Sequence, residues 1–561
     1  MVVPRSLFRV NLVAMRRLPQ LPMIPVILML TMSCSLEPPA QPARDPSQDP
    51  AGQDRAATLV SKGVAAMEHG DSAAAKIFFR RALSVDSKNL AGRTYLGILA
   101  DKAGELAEAE RQFAAAAAAA PKSPEARNNY GAILLKLGRK RQAAVQFEAS
   151  LQLDQRQPGA LVNLAQIRFS SGTPAGLREA RELFRRAQAL APDAETARAL
   201  VVIALQLHEP EQAGSDFHDY SARMLDAPQS VSAPAARAEL GAALLEQGLS
   251  WEAAQELQAA VAAQPSNVND VVLLARALQA NKTLPAAGRV LESAIARGME
   301  AAPIYLTLVE IYEAEGRVEN AIPAMRRAIE LDPKNEAYRF RYAMLLTDTN
   351  APQAAVIRLR EALNEFPNSA KLWFAMGIAQ LQDNKNEEAA QSFDRCVQLD
   401  PTMSAAFAYL GMIDVDLGKV EAAVAFYKKA LDVNGHSAAA HFLMAEALGK
   451  LTPPNEPGVE EHLKRALSVD PKFQQAHLAL GKLLSRTNRF EDAARELEEV
   501  IQADPKMAEA YYQLGRVYMR LKRKEDAQVV MSKFEQLSDA EKKKSEDERR
   551  EIVRRLAEVR F

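Results

Sequence analysis

The stretch AKLWFAMGIAQLQDNKNEEAAQSFDRCVQLDPTM, residues 370–403, shows in one short unit the residue pattern that recurs along most of the chain. Its small Gly377 and Ala389 allow two helices to approach closely, and the bulky Phe393 fills the space between them. Asn384 tolerates the left-handed backbone conformation that ends a helix, and a proline near the end of the stretch stops the second helix. The stretch therefore predicts two closely packed helices joined by a tight turn.

The same plan returns with a period of about 34 residues, in roughly fourteen units between Ala56 and the region of Glu541. A second example is LAGRTYLGILADKAGELAEAERQFAAAAAAAPKS, residues 90–123. Alanine is nearly constant at the twentieth position, and a bulky side chain recurs at the twenty-fourth. Glycine recurs at the eighth position, at Gly63, Gly97, Gly131, Gly241, Gly377, Gly411, Gly481 and Gly515.

This period and residue pattern resemble the tetratricopeptide repeat. The resemblance implies an all-α protein, a right-handed superhelical α-solenoid of about 14 helix-turn-helix repeats. It also implies that the first helix of each repeat lines a concave face that binds proteins or peptides. The composition agrees, because alanine, the strongest helix former, dominates and aromatic residues make up only 6%.

Composition and motifs indicate no enzyme. The net charge of −1 gives no reason to expect a nucleic-acid partner. No phosphate-binding loop or catalytic motif occurs, and the seven histidines show no spacing typical of metal ligands, so we expect neither a cofactor, nor a metal, nor a small-molecule substrate. The alternative is an accessory subunit or glycan-processing factor that acts through an associated catalytic partner.

The N-terminal segment, residues 1–34, differs from the rest of the chain. Four arginines precede the apolar run LPMIPVILMLTMS, which is too short to cross a bilayer and is typical of a secretory signal peptide. The segment LTMSC, residues 30–34, resembles a bacterial lipobox, although its strongest form has leucine where this chain has Thr31. That resemblance implies removal of residues 1–33 and lipid attachment to Cys34. Translation could start at Met1 or at Met15.

We therefore expect a protein of the cell envelope. Ser35 after the cysteine implies lipid anchoring to the bacterial outer membrane, facing the periplasm, and the alternative is a secreted or soluble periplasmic protein. Similar lipoproteins with these repeats assist pilus assembly, secretion and exopolysaccharide export. The predicted function is a non-enzymatic scaffold for protein-protein interactions in such a machine.

The predicted domains follow from composition. Residues 1–33 are the signal peptide, and residues 34–55 form a disordered Pro-rich tether. Residues 56–228 and 229–541 form an N-terminal and a C-terminal repeat array, divided where Tyr220 replaces a small residue and a proline is missing. Residues 542–561 form a charged C-terminal capping helix.

Several residues of the predicted concave face are apolar, although packing within a repeat does not require this. In the last two repeats the same face carries basic residues instead. Together they suggest a peptide-binding groove with apolar anchors and a basic end. The alternative is that the aromatic residues pack against neighbouring helices and that the basic ones are only solvated. The candidate groove residues are Phe340, Met344, Phe374, Ile378, Leu381, Met412, Phe442, Lys482, Arg486, Tyr512, Arg516 and Arg520.

Cys396, the second of only two cysteines, falls at the twenty-seventh position of its repeat, where alanine is usual. We interpret it as a small packing residue in a tight helix contact. A disulfide to Cys34 is not expected.

Overall fold

A computed structural model describes residues 50–226 and 233–538. It contains 27 complete helices and a further helical segment, residues 524–538, and these described ranges contain no strand. Successive helices pack in pairs, as residues 370–382 do with residues 386–399, which confirms the predicted all-α repeat fold. The predicted signal peptide, Cys34, the predicted capping helix and residues 34–49 of the predicted tether lie outside the described residues. Residues 50–55, predicted as the end of the disordered tether, instead begin the first helix, Pro50–Glu68. In the described ranges, no helix is both long and apolar enough to cross a membrane.

Contacts between residues group the described chain into two units that divide between Glu315 and Gly316. The helices of the first unit are α1 (Pro50–Glu68), α2 (Ser72–Val85), α3 (Leu90–Lys102), α4 (Leu106–Ala119), α5 (Pro124–Lys136), α6 (Lys140–Leu153), α7 (Pro158–Phe169), α8 (Pro174–Leu190), α9 (Ala194–Gln206), α10 (Pro210–Asp226), α11 (Pro234–Glu246), α12 (Ser250–Ala263), α13 (Val268–Ala280), α14 (Leu284–Ala296) and α15 (Ala302–Ala314).

The second unit begins with a helix of similar length and continues to the end of the described chain. Its helices are α16 (Val318–Leu331), α17 (Glu336–Asp348), α18 (Pro352–Glu365), α19 (Ala370–Gln382), α20 (Asn386–Leu399), α21 (Ser404–Asp416), α22 (Val420–Val433), α23 (Ala438–Lys450), α24 (Glu456–Val469), α25 (Gln474–Arg486), α26 (Phe490–Ala503) and α27 (Ala508–Arg520).

Within a repeat, the glycine at the eighth position accommodates the aromatic ring at the twenty-fourth. Phe393 of α20 is fully buried against α19. A Cβ atom added to Gly377 would lie only 2.7 Å from both Cε1 and Cζ of that ring. At the observed spacing of α19 and α20, only a residue without a side chain fits against the ring, which accounts for the glycine at this position.

The turn between the two helices has the predicted left-handed residue. Asn384 has φ 60°, and Gly104 has φ 76° at the equivalent place in an earlier repeat. After Asn384, the Lys385 amide donates a 2.9 Å hydrogen bond to the Gln380 carbonyl and closes the end of α19. At the other end of α19, the Ser369 hydroxyl accepts a 3.1 Å hydrogen bond from the Leu372 amide. Short polar side chains and left-handed residues thus set the ends of the helices.

Cys396 occupies the packing position expected from the sequence. Its side chain is fully buried, in one cluster with Met403 and Ile413 of the following repeat. Burial raises the pKa of its thiol to about 12, so the protonated, unreactive form dominates at neutral pH.

The predicted division between residues 228 and 229 stays a prediction, because residues 227–232 lie outside the described residues. The helices on its two sides do pack on each other. The Tyr220 hydroxyl of α10 donates a 3.2 Å hydrogen bond to the buried Glu256 carboxylate of α12. Arg237 of α11 lies 3.4 Å from the same carboxylate, and the bulky tyrosine at a normally small position is thereby accommodated.

Candidate functional site

The second unit contains a pocket of about 380 Å³ between α23, α24 and α25. Its volume lies at the small end of the range for ligand sites and suits one or two large side chains. The residues that line it are Phe442, Ala445, Glu446, Gly449, Val459, Leu463, Gln475, Leu478, Ala479, Lys482, Leu483 and Arg486.

Helical periodicity places these residues on one face of each helix. On α23, the first lining residue is followed by others three, four and seven positions later, which is the spacing of one helical stripe. On α25, the stripe runs from Gln475 through Ala479 to Arg486. Helix α24, the second helix of the repeat, closes the floor with Val459 and Leu463. The pocket is therefore a depression between two successive first helices.

The floor of the pocket is apolar and held in place by core packing. Phe442 is 7% exposed, and its ring centroid lies 5.2 Å from that of Phe473, at the start of α25. Leu463 and Leu483 are buried in the same core cluster, which extends over the last repeats of the unit. Gly449 leaves space in the wall of the pocket, because a Cβ atom at this position would lie 3.7 Å from Cγ2 of Val459. The floor is thus a rigid apolar surface.

The rim of the pocket is charged. Lys482 forms an ion pair with Glu509 of α27, and the Nε of Arg486 lies 3.0 Å from a carboxylate oxygen of Glu456 on α24. Glu446 faces the rim from α23, where burial raises the pKa of its carboxyl group. Each cation is paired with a carboxylate of a neighbouring helix, and some of its N–H donors stay available for another acceptor.

Three candidate residues from the sequence come together in this pocket, namely Phe442, Lys482 and Arg486. Phe374 lies elsewhere, in the core. It is 2% exposed, with its ring centroid 5.7 Å from that of Phe393 and 5.8 Å from that of Tyr409. This is the packed arrangement that the sequence had left open, so the ring is not accessible to a partner while the repeat is closed.

The other apolar candidates are half-buried at the edges of two core clusters, one formed by α17 to α19 and the other by α19 to α21. Phe340 borders both clusters, and Met344 borders the first. Ile378, Leu381 and Met412 border the cluster of α19 to α21. Part of each side chain packs and part faces solvent, and their role in binding stays a prediction.

The basic candidates continue from the pocket onto α27. Arg516 places its guanidinium 5.7 Å from the ring centroid of Tyr512, which is 38% exposed and lies 5.3 Å from the ring of Phe534. Arg520 is exposed one turn further along. The basic surface that the sequence predicted therefore begins at the pocket rim and extends along the last described repeat.

Sequence reasoning missed nine of the twelve residues that line the pocket. Leu478 and Ala479 of α25 were not chosen, although they precede Lys482 by four and three residues on the same helical face. Val459 and Leu463 lie on a second helix, whose contribution to the groove is not expected from the repeat pattern. Five residues, 451–455, join α23 to α24, whereas three, 487–489, join α25 to α26, and this inserted loop marks the repeat as different from its neighbour.

Two histidines pair next to the pocket but form no metal site. The Nε2 of His441 donates to the carbonyl of Gly435 over 3.2 Å, so its Nδ1 accepts from the Nδ1 of His462, 2.9 Å away. Burial lowers the pKa of both imidazoles, which favours this neutral pair. Among the described residues, no three histidine, cysteine or acidic side chains are placed to hold a metal ion.

Comparison with known families gives the same repeat along most of the chain. Sequence models described as tetratricopeptide repeat match residues 60–126, 94–160, 272–336 and 478–528, residues 312–381, and residues 370–403 and 406–436. Together these matches cover more than half of the chain.

Curated relatives are distant and only partly covered. Anaphase-promoting complex subunit 3 of Schizosaccharomyces pombe is 23% identical over 185 residues, 32% of this chain and 27% of that protein. Protein O-mannosyl-transferase TMTC3 of Homo sapiens is 26% identical over 201 residues, 35% of this chain and 22% of that protein. Type IV pilus assembly protein PilF of Pseudomonas aeruginosa is 27% identical over 153 residues, 27% of this chain and 61% of that protein. The chain thus covers less than two thirds of the length of each.

The similarity to solved structures is low. An APC/C hetero-tetramer matches with a TM-score of 0.35 and 14% identity, over 82% of this chain and 96% of that chain. The structure of PilF from Pseudomonas aeruginosa matches with a TM-score of 0.34 and 22% identity, over 38% of this chain and 95% of that chain.

Proposed function

Because the chain belongs to the tetratricopeptide repeat family, a fold that generally serves as a non-catalytic scaffold for protein interactions, we propose that it binds protein partners through the pocket between α23 and α25. We further propose that a lipid on Cys34 holds it at the periplasmic face of a bacterial outer membrane. There it would assist the assembly of a secretion, pilus or exopolysaccharide-export machine.

One observation supports the binding site most strongly. Among the described residues, the pocket combines an apolar floor, formed by residues such as Phe442, Leu478 and Ala479, with a charged rim that contains Lys482 and Arg486. Protein interfaces gain most of their affinity from large apolar side chains that enter such depressions, while charges at the rim provide orientation. The size of the pocket suits a side chain better than a cofactor.

Sequence features support the proposed location. The segment LTMSC and the following Pro-rich stretch suit a lipid anchor with a tether, and two or more acyl chains give lasting membrane attachment. The similarity to a pilus assembly protein makes a role in pilus assembly one reasonable choice. The transferase in the name of the human relative is not extended to this chain, because the match covers only 22% of that protein.

A pull-down after crosslinking in host membranes tests the proposed function. The variant Ala479→Trp fills the pocket with a bulky ring, and Ala503→Trp adds the same ring at an exposed site on α26 as a matched control. We expect Ala503→Trp to recover the same partners as the natural chain and Ala479→Trp to lose them while its helical content is retained. Equal recovery with both variants would contradict binding through the pocket.

A further inference from the structure

One side of the pocket is a row of side chains on α25. Leu478, Lys482 and Arg486 follow one another at intervals of four residues, and all three line the pocket. Residues four apart on a helix lie one turn apart, roughly 6 Å along the axis. The row therefore runs from an apolar floor to a first cation and then to a second cation.

An extended peptide has a matching repeat. Its side chains alternate between two faces, so every second side chain points the same way, at intervals of roughly 6.6 Å. A peptide that lies along α25 in the extended conformation thus presents one side chain to each turn of the helix. If a bulky side chain fills the pocket, the side chains two and four residues away face Lys482 and Arg486.

The charges of this region favour acidic side chains at those two places. Among the residues that line the pocket, the two cations Lys482 and Arg486 outnumber the one carboxylate, that of Glu446. Outside the lining, Glu509 and Glu456 hold these two cations, each through a single ion pair. An ammonium has three N–H donors and a guanidinium has five, so both cations retain donors for a second carboxylate.

We propose that the pocket recognises an extended peptide with one bulky apolar residue and two acidic residues, placed two and four positions from it. The apolar side chain enters the depression at Phe442 and Ala479. The two carboxylates bind Lys482 and Arg486 in turn, and the Gln475 amide, at the other end of the same α25 stripe, is placed to hydrogen bond to the peptide backbone. This proposal rests on the proposed function and specifies the class of partner.

Synthetic peptides can test the spacing on the unaltered chain. Fluorescein-labelled twelve-residue peptides would carry one phenylalanine in a Gly/Ser background and two glutamates, two and four positions from it. These in-phase peptides would be made in two orders, with both glutamates after the phenylalanine or both before it. Control peptides would carry them one and three positions away, or carry glutamines. By fluorescence anisotropy we expect the in-phase peptide in one of its two orders to bind about tenfold more tightly than both controls, a difference of about 1.4 kcal/mol. Equal affinities, or no binding of any peptide, would overturn the proposal.

Variants of the rim identify the residues responsible. With Lys482→Gln and Arg486→Gln combined, the in-phase peptide should bind no better than its glutamine control. With Lys482→Glu and Arg486→Glu, a peptide with lysines in phase should become the preferred one. The matched control is Lys464→Glu with Arg465→Glu, two exposed cations on α24 outside the pocket, and it should keep the natural preference. Acidic preference that persists in the glutamine variant would overturn the assignment.

The variant Ala479→Trp separates this proposal from the proposed function. If all phenylalanine peptides bind equally and Ala479→Trp abolishes their binding, the pocket is a binding site but the acidic partner class is wrong. If the peptides bind and Ala479→Trp does not weaken them, the pocket itself is not the site. Circular dichroism of each variant shows whether it retains its helices.

Discussion

The contact between Gly377 and Phe393 offers a quantitative test of how the repeats hold together. In Gly377→Ala, the new methyl group would lie 2.7 Å from the Phe393 ring. The ring cannot move easily, because it is fully buried and stacks on Tyr409 with centroids 5.1 Å apart. Overpacking of this kind costs about 1–3 kcal/mol. The change also gains about 1 kcal/mol of helix propensity, so we expect a net loss of up to about 2 kcal/mol.

Gly288→Ala is the matched control. Gly288 also lies inside a helix, α14, but an added Cβ would meet only Ile311 Cγ2, at 3.8 Å, which is an ordinary contact. This variant should therefore gain up to about 1 kcal/mol from helix propensity. The difference between the two variants isolates the overpacking, about 1–3 kcal/mol.

A second substitution should relieve the clash. In the preceding repeat, buried Ala343 and Leu359 occupy the positions of Gly377 and Phe393 in one core cluster. Combining Gly377→Ala with Phe393→Leu should thus cost less than the sum of the single variants, by at least about 0.5 kcal/mol. Hydrogen exchange detected by mass spectrometry, followed on peptides from α19 and α20, gives the local opening free energies. Additive effects, or a Gly377→Ala variant that is stabilised as much as the control, would refute this account of the repeat.

Three further predictions concern other parts of the chain. A hydrogen bond to Glu496 raises the pKa of His477, so this contact should stabilise α25 and α26 fully below the unfolded pKa of about 6.5 and lose its effect as pH rises through the folded pKa. The difference in stability between the natural chain and Glu496→Gln, measured by thermal unfolding, should therefore shrink with rising pH. A difference that grows with pH would contradict this. Cys396, buried with a pKa raised to about 12, should react with a thiol reagent at pH 8 only after denaturant is added, and rapid labelling of the folded chain would show that the site is open. Mass spectrometry of the mature N-terminus should find acyl groups on Cys34, whereas an unmodified or missing Cys34 would exclude the anchor.

The fold was predictable because the residues that determine the two helices and the turn of a repeat lie within that repeat. Gly377 and Phe393 follow from the space between two helices, and Asn384 follows from the left-handed backbone of the turn. These constraints act within a single repeat unit, such as residues 370–403. They recur along the chain, so the pattern is readable even where one unit departs from it.

The binding surface was less predictable because it depends on neighbouring repeats. Phe374 occupies a first-helix position expected to face the groove, but it packs between Phe393 and Tyr409, the latter from the following repeat. The pocket forms beside α24, where an inserted loop precedes the helix and Gly449 leaves space near Val459. Which position is covered and which is open depends on side-chain sizes in adjacent units, and repeat periodicity alone does not encode these.

The most direct test of the central claim is site-specific photo-crosslinking from the pocket rim in the full chain. A photoreactive amino acid at Gln475 would face the pocket, and the same amino acid at Arg465 would face away on the exposed side of α24. We predict adducts with partner proteins in host membranes from position 475 alone, and loss of these adducts when the in-phase acidic peptide is added. Adducts of equal yield at both positions, or no adducts from position 475, would contradict the claim that this pocket is the binding site, whereas adducts that persist with the peptide would contradict only the acidic partner class.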